Sequence, residues 1–203
     1  MAIKFQYNKT SLQQQQKQLK SRLRALPTIK SKESALRVEV KRTKDRVESL
    51  EKKLEQSMLG YDSMVALWNE FDPNIVRVKD VQIKIKRFAG VQVPELENID
   101  FEVRPFSLLN NPSWFMEGTK LLKDMASIGI EAEVGRLKLD VLDHARRKTT
   151  QKVNLFEKVQ IPGYEDAIRK IKRYLEDEES LSKASQKIMR TNLENKAKER
   201  KDL

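Results

Sequence analysis

Two files of residues, each repeating every seven positions, constrain this chain more than any other feature in it. The first is Leu12, Leu19, Leu26, Glu33, Val40, Val47, Leu54, Tyr61 and Trp68, apolar or aromatic at eight of nine positions. The second, three residues further along, is Ile29, Leu36, Thr43, Leu50, Ser57 and Met64. Paired files at this offset form the seam of a coiled coil. A helix spanning them is roughly 85 Å long at about 1.5 Å per residue. Such a helix cannot bury its seam alone, so it requires an equally long partner. Thr10 or Ser11 is the expected cap at its start. Pro27 lies inside the pattern without shifting its phase, which predicts a kink rather than a break.

The helix is expected to stop before Asp72-Pro73, because a residue preceding proline avoids the α region. Strand signals follow. Val76, Val78, Val81, Ile83 and Ile85 alternate with polar residues, then Val91 and Val93, then Phe101 and Val103. With Gly90 at a turn, they predict a small hairpin or meander over about 75–104. Pro94 and Pro105 limit it to a small sheet.

Asn111-Pro112 reads as a cap followed by proline at the first helical position. A new seam begins there: Trp114, Leu121, Ile128, Gly135, Leu142, Thr149 and Phe156. Its companion file is Gly118, Met125, Ala132, Leu139, Arg146, Val153 and Gln160. The small residues let a neighbouring backbone come close. The seam resumes as Ile161, Ile168 and Leu175 with Tyr164 and Ile171. The spacing from Val153 to Tyr164 is a four-residue stutter, which locally unwinds a left-handed supercoil. Beyond about Arg190 the apolar file fades and fraying is expected.

The expected fold is therefore mainly all-α: a long antiparallel two-helix coiled coil with a small hairpin-containing insert at one end. Residues 1–72 form the first helix, 73–111 the insert and 112–203 the second helix with a frayed tail, together one elongated rod. Its seam is assigned to Leu12, Leu19, Leu26, Leu36, Val40, Val47, Leu50 and Leu54 on the first helix. Facing them are Leu139, Leu142, Val153, Phe156, Ile161, Ile168, Ile171 and Leu175. The simplest antiparallel register sets Trp68 near Glu133 and Lys30 near Ile171. Trp68 and Trp114 are expected to pack where the rod meets the insert.

Composition agrees with extended helices. Charged residues make up 35% of the 203 positions and aromatics 6%, which suits paired helices better than a thick globular core. No cysteine is present, so disulfides and thiolate metal sites are excluded. No apolar run approaches the ~20 residues of a membrane span, and the N-terminus lacks a signal-peptide core. A soluble, cytoplasmic protein is expected. The net charge is +11, concentrated at the two ends. Residues 1–68 carry 15 Lys/Arg against 7 Asp/Glu, and residues 69–132 carry 8 against 10. Basic residues are mixed with acidic ones and no nucleic-acid-reading module appears, so nucleic acid is not the expected partner.

The chain carries little that resembles catalysis. His144 is the one histidine and reads as a surface or seam residue. Gly118-Thr119-Lys120 lacks the upstream glycine of a phosphate loop. Glu131 and Glu133 lie two apart on a helix and face different ways. No catalytic residue, metal or cofactor is assigned.

Three segments resemble a known family, the D subunits of V/A-type rotary ATPases. Thr28-Ile29-Lys30-Ser31-Lys32 through Leu36 resembles its "Leu-Leu-Lys-x-Lys-x-x-x-Leu" segment. Ala89-Gly90-Val91-Gln92-Val93-Pro94 is similar to its hairpin motif "Ala-Gly-Val-x-Leu-Pro". Arg146, Arg147, Val153-Asn154-Leu155-Phe156-Glu157 and Ile161-Pro162, continuing through Glu165, Ile168 and Ile171, resemble its C-terminal segment. Pro27, Phe156, Gly163 and Tyr164 depart from the family pattern, and 95–135 match loosely. The resemblance implies a rotor axle without an active site. It would stand inside the hexamer of catalytic A and noncatalytic B subunits, bind the small F-type stalk protein, and rest on the funnel-shaped subunit above the membrane ring. It would be peripheral to the membrane and carry torque between ATP chemistry and ion movement. Lys30, Lys32, Arg146 and Arg147, in the matching segments, are the candidate contacts with the hexamer. The alternative is a coiled-coil scaffold or adaptor unrelated to ATPases.

Overall fold

The computed structural model describes residues 3–61, 75–105 and 114–199. Helix α1 spans Lys9–Tyr61, strand β1 Val76–Phe88 and strand β2 Val91–Val103. Helix α2 spans Trp114–Leu155, a π-helical turn Phe156–Gln160, and helix α3 Ile161–Glu199. Two long helical stretches thus enclose one antiparallel hairpin. Met64, Trp68, the helix end at Asp72-Pro73 and the cap at Asn111-Pro112 lie outside the described residues.

The start of α1 differs from expectation. Asn8 is the cap: its Oδ1 accepts the Ser11 N–H at 2.6 Å. Ser11 instead reaches back, its Oγ accepting the Gln6 N–H at 3.2 Å. The helix therefore begins two residues early, with the reciprocal side-chain bonding that satisfies orphan donors of a first turn. Pro27 sits within α1.

The chain divides into two compact units, one of Met1–Lys30 with Thr150–Leu203, the other Ser31–Thr149. In the second unit α1 and α2 run antiparallel. Glu39 pairs with Lys138 at 3.1 Å, and Glu51 accepts Arg136 Nε at 2.8 Å. Arg46 pairs with Glu131 between them. Leu36, Val47, Leu50, Ala132, Val134 and Leu142 are buried along this contact. The glycines of α2 bring the backbones close, Gly135 against Val47 and Gly129 against Leu54.

The hairpin lies against the same helices. Thirteen residues per strand pair from Val76↔Val103 to Phe88↔Val91, with register shifts at Val78/Asp80 and Gln82/Ile83. Its two-residue turn, Ala89-Gly90, has φ of 49° and 88°, both in the left-handed region that a tight hairpin turn of this hand requires. At its base Ile75, Val76 and Val103 pack on Trp114, Phe115 and Leu122. At its tip Phe88, Ala89, Val91 and Val93 pack on Leu36, Val40, Leu142 and Ala145. The insert follows α1 in sequence as expected, but it folds back along the helices instead of standing as a knob beyond their ends. The cause is its own apolar tip, which gains cover only against Leu36 and Leu142.

In the first unit the start of α1 faces the π turn and α3. Lys30 Nζ meets Glu157 Oε1 at 2.8 Å, the Arg22 guanidinium lies 5.0 Å from the centroid of the Phe156 ring, and Tyr7 and Tyr174 stack at 4.9 Å. This corrects the expected register: Lys30 sits by Glu157, not near Ile171. Counting back from Trp68 opposite Glu133 overlooks the early turns of α2 from Trp114. The partner of Lys30 consequently lies about four helical turns earlier in the chain. The four-residue stutter coincides with the π turn, where Ile161 N–H bonds the Phe156 carbonyl five residues back. A π turn absorbs an irregular spacing without ending the helix.

Candidate functional site

The surface of these helices, rather than a cavity with catalytic groups, is what the chain offers a partner. The sixteen assigned seam residues are all buried or half-buried. The two files of α1 are not equal, however. Leu12, Leu19 and Leu26 are half-buried, whereas Leu36, Thr43 and Leu50 of the second file are buried. Extended backward by sevens, that second file reaches Arg22 and Gln15, and Gln15 is buried too. Polar residues at heptad spacing from Ile29 were the signal for this; an apolar search passes over them.

The four candidate cations separate into two settings. Lys30 belongs to the first unit and is engaged with Glu157. Lys32, Arg146 and Arg147 belong to the second. Arg146 and Arg147 share one carboxylate, Asp143, at 2.8 and 2.7 Å. The hydrogen bond from Arg146, with the charges of both guanidiniums, holds Asp143 below its ordinary 3.8 despite some desolvation. Arg146 is partly covered, its side chain 28% exposed, while Arg147 is 71% exposed. Lys32 is exposed and forms no ion pair among the described residues.

Two exposed apolar features were not singled out by sequence. One is the end of α3. From Glu176 to Asn195 every residue is exposed, including Leu181 at 70%, Ile188 at 62%, Met189 at 65% and Leu193 at 62%. Lys9, where α1 begins, reaches only as far as Glu179, whose pKa is lowered first by a hydrogen bond from Lys183 and also by Lys9. Beyond that point α3 has no helix beside it within its unit, and it remains helical to Glu199. Leu181 and Ile188 stand one heptad apart, so the file does continue in sequence. The other feature is β1, where Val78, Ile83 and Ile85 are 44%, 47% and 67% exposed.

Beneath the hairpin lies a groove of about 880 Å3, floored by Val47, Leu50 and Val134 and walled by paired charges. His144 is exposed on α2. Glu131 is engaged by Arg46, and Glu133 by Arg136 at 3.3 Å. Among the described residues no group of three or more His, Asp or Glu is placed to hold a metal ion. No helix of the described residues is long and apolar enough to cross a membrane.

The profile of the family described as the ATP synthase D subunit matches residues 11–191, both helical stretches and the hairpin between them. The chain belongs to the ATP synthase D-subunit family. The D subunit of the V-type ATP synthase of Borreliella burgdorferi is 32% identical over 94% of this chain and 95% of its own length. The V-type ATP synthase D subunit of Chlamydia felis is 28% identical over 75% of this chain and 76% of its own. That of Chlamydia pneumoniae is 25% identical over 87% of each. The family match stops at residue 191 and so covers Leu181, Ile188 and Met189 but not Leu193.

Proposed function

We propose that this member of the D-subunit family is the central axle of a V/A-type ATPase or ATP synthase, carrying torque between the catalytic hexamer and the membrane ring. Its partners on this reading are the A and B subunits of the head, the small F-type stalk protein and the membrane-proximal funnel subunit. It takes no part in the chemistry and sits at the membrane periphery on the cytoplasmic side.

The observation that carries the reading is the far end of α3. Four large apolar side chains, each more than half exposed, project from a helix that outruns its partner. Leaving such side chains in water forgoes roughly 1.5–3 kcal/mol apiece, and clustered exposure of this kind marks a contact with another protein. A shaft tip held in an apolar bearing meets that requirement. Two helices in antiparallel contact also resist bending and twisting better than one, as a transmitted torque demands. Along their sides the exposed ion pairs are individually weak, which suits a surface that must leave every contact it makes.

The test is assembly of the head subunits with a chain carrying Leu181→Ser, Ile188→Ser, Met189→Ser and Leu193→Ser. Helicity should stay near wild type, because these side chains cover nothing within the chain. Assembly and ATP-driven ion movement should fall sharply. A well-folded variant that assembles and couples normally would refute a bearing role for this end.

A further inference from the structure

The middle of the first unit's helix contact is built the wrong way round for a stable seam. Gln15, on the more buried file of α1, is 7% exposed, and Arg22 follows one heptad later. Across from them Gln160 closes the π turn. Gln15 Oε1, Arg22 Nε and Gln160 Oε1 are all buried without a hydrogen-bond partner in the chain. Arg22 is held in place by its guanidinium over the Phe156 ring, which leaves the Nε–H facing inward. A buried polar atom left unsatisfied is costly, and three in one short section is a concentration that calls for a cause.

The backbone is weakened in the same place. The π turn replaces i→i−4 bonds with longer i→i−5 ones, of which Ile161 N–H to Phe156 O is the last. Pro162 then contributes no N–H, so the Lys158 carbonyl loses the donor an α ladder would give it. Side-chain packing and backbone bonding are therefore interrupted on facing stretches, 15–22 and 156–162.

We propose that this section is a hydrated, weak layer of the seam, the place where the two helices of the first unit part first. The hydrogen-bond inventory suits water: Arg22 Nε–H donates, and the two amide oxygens accept. Gln15 and Arg22 lie about 10 Å apart along α1, so more than one water is needed. Flanking the layer, Ile161, Ala167 and Ile171 are buried and apolar, which confines the weakness to a few turns. The inference concerns this chain's own stability and holds whether or not the axle reading is correct.

Native-state hydrogen exchange on the full chain tests it. Amides in 15–22 and 156–163 should exchange at least about tenfold faster than those in 167–175 of the same unit, since local opening sets their protection. Gln15→Leu with Gln160→Leu should slow exchange in that section by a comparable factor and raise the melting temperature, because apolar groups then replace unpaired polar ones. Equal protection across the unit in the wild-type chain would overturn the proposal. So would a double variant that folds but exchanges faster in this section. Should the double variant lose helicity, Gln15→Leu alone is used, and the wild-type profile still decides.

Discussion

Gly135 stands so close to Val47 that a Cβ built on it would lie 2.8 Å from Val47 Cγ2. Six residues earlier on α2, Gly129 has its nearest side-chain neighbour, Leu54 Cδ2, at 4.0 Å. The two glycines are chemically identical and structurally opposite, and the same substitution should separate them. Gly129→Ala gains helix propensity of up to about 1 kcal/mol and meets only ordinary contact, so it should stabilise. Gly135→Ala gains the same propensity but overpacks the seam, at a cost of about 1–3 kcal/mol, so it should be neutral to destabilising. Thermal melts of the two variants check the sign; stabilisation by both would mean the helices sit further apart than described.

The half-buried carboxylate of Asp143 gives a pH prediction. Its pKa is depressed, chiefly by the hydrogen bond from Arg146. A depressed carboxylate pKa means the folded chain binds the proton less readily than the unfolded one. Its contribution to stability is then complete above the ordinary 3.8 and is lost as pH falls through the lower folded value. Asp166, held low by a hydrogen bond from Lys170 and then by Arg169, shares the sign. Melts of wild type and Asp143→Asn between about pH 6 and pH 2 should differ at the upper end and converge at the lower. A gap that widens on acidification would reverse the assignment.

Much of this fold was readable in the sequence because heptads and alternation are local. Leu36, Val47 and Leu50 announce the seam by spacing, and Val76 to Val103 announce two strands around Gly90. The stutter between Val153 and Tyr164 points to the irregularity that appears as a π turn. What escaped is non-local. Nothing in the spacing of Phe88 and Val93 says that they will settle on Leu36 and Leu142. The helix register likewise depends on where α2 begins, which places Lys30 beside Glu157. Gln15 and Arg22 were missed for a different reason: burial is ordinarily inferred from apolarity, and here the more buried file turns polar.

Leu142 is the residue through which the hairpin and both helices of the second unit are joined. It is 0% exposed and shares a cluster with Leu36 and Val93. Leu142→Ala should cost about 2–5 kcal/mol, transfer and cavity together. Because the hairpin tip rests on the same cluster, the variant should also expose 88–93 to limited proteolysis before the helices melt. Unchanged proteolysis with an unchanged melting temperature would show that the cluster does not hold the hairpin.

The four candidate cations are not equivalent, and the difference predicts which one a partner would feel. Lys30 already answers Glu157, and Arg146 with Arg147 already answers Asp143. Removing any of these three disturbs the chain itself, so a loss of assembly would be ambiguous. Lys32 is exposed and unpaired among the described residues, one residue into the second unit. Its substitution leaves no internal partner stranded. If the axle turns within an acidic collar, Lys32→Glu should weaken assembly with the head subunits by less than about tenfold, since an exposed pair is worth only a few tenths to about 1 kcal/mol. The effect should shrink as salt rises, because screening shortens the reach of exposed charges to about 8 Å at physiological ionic strength. Assembly affinity measured at low and high salt, with helicity confirmed first, checks both points. Wild-type affinity at low salt would remove Lys32 from the contact surface, and a defect that persists undiminished at high salt would show that its role is not electrostatic.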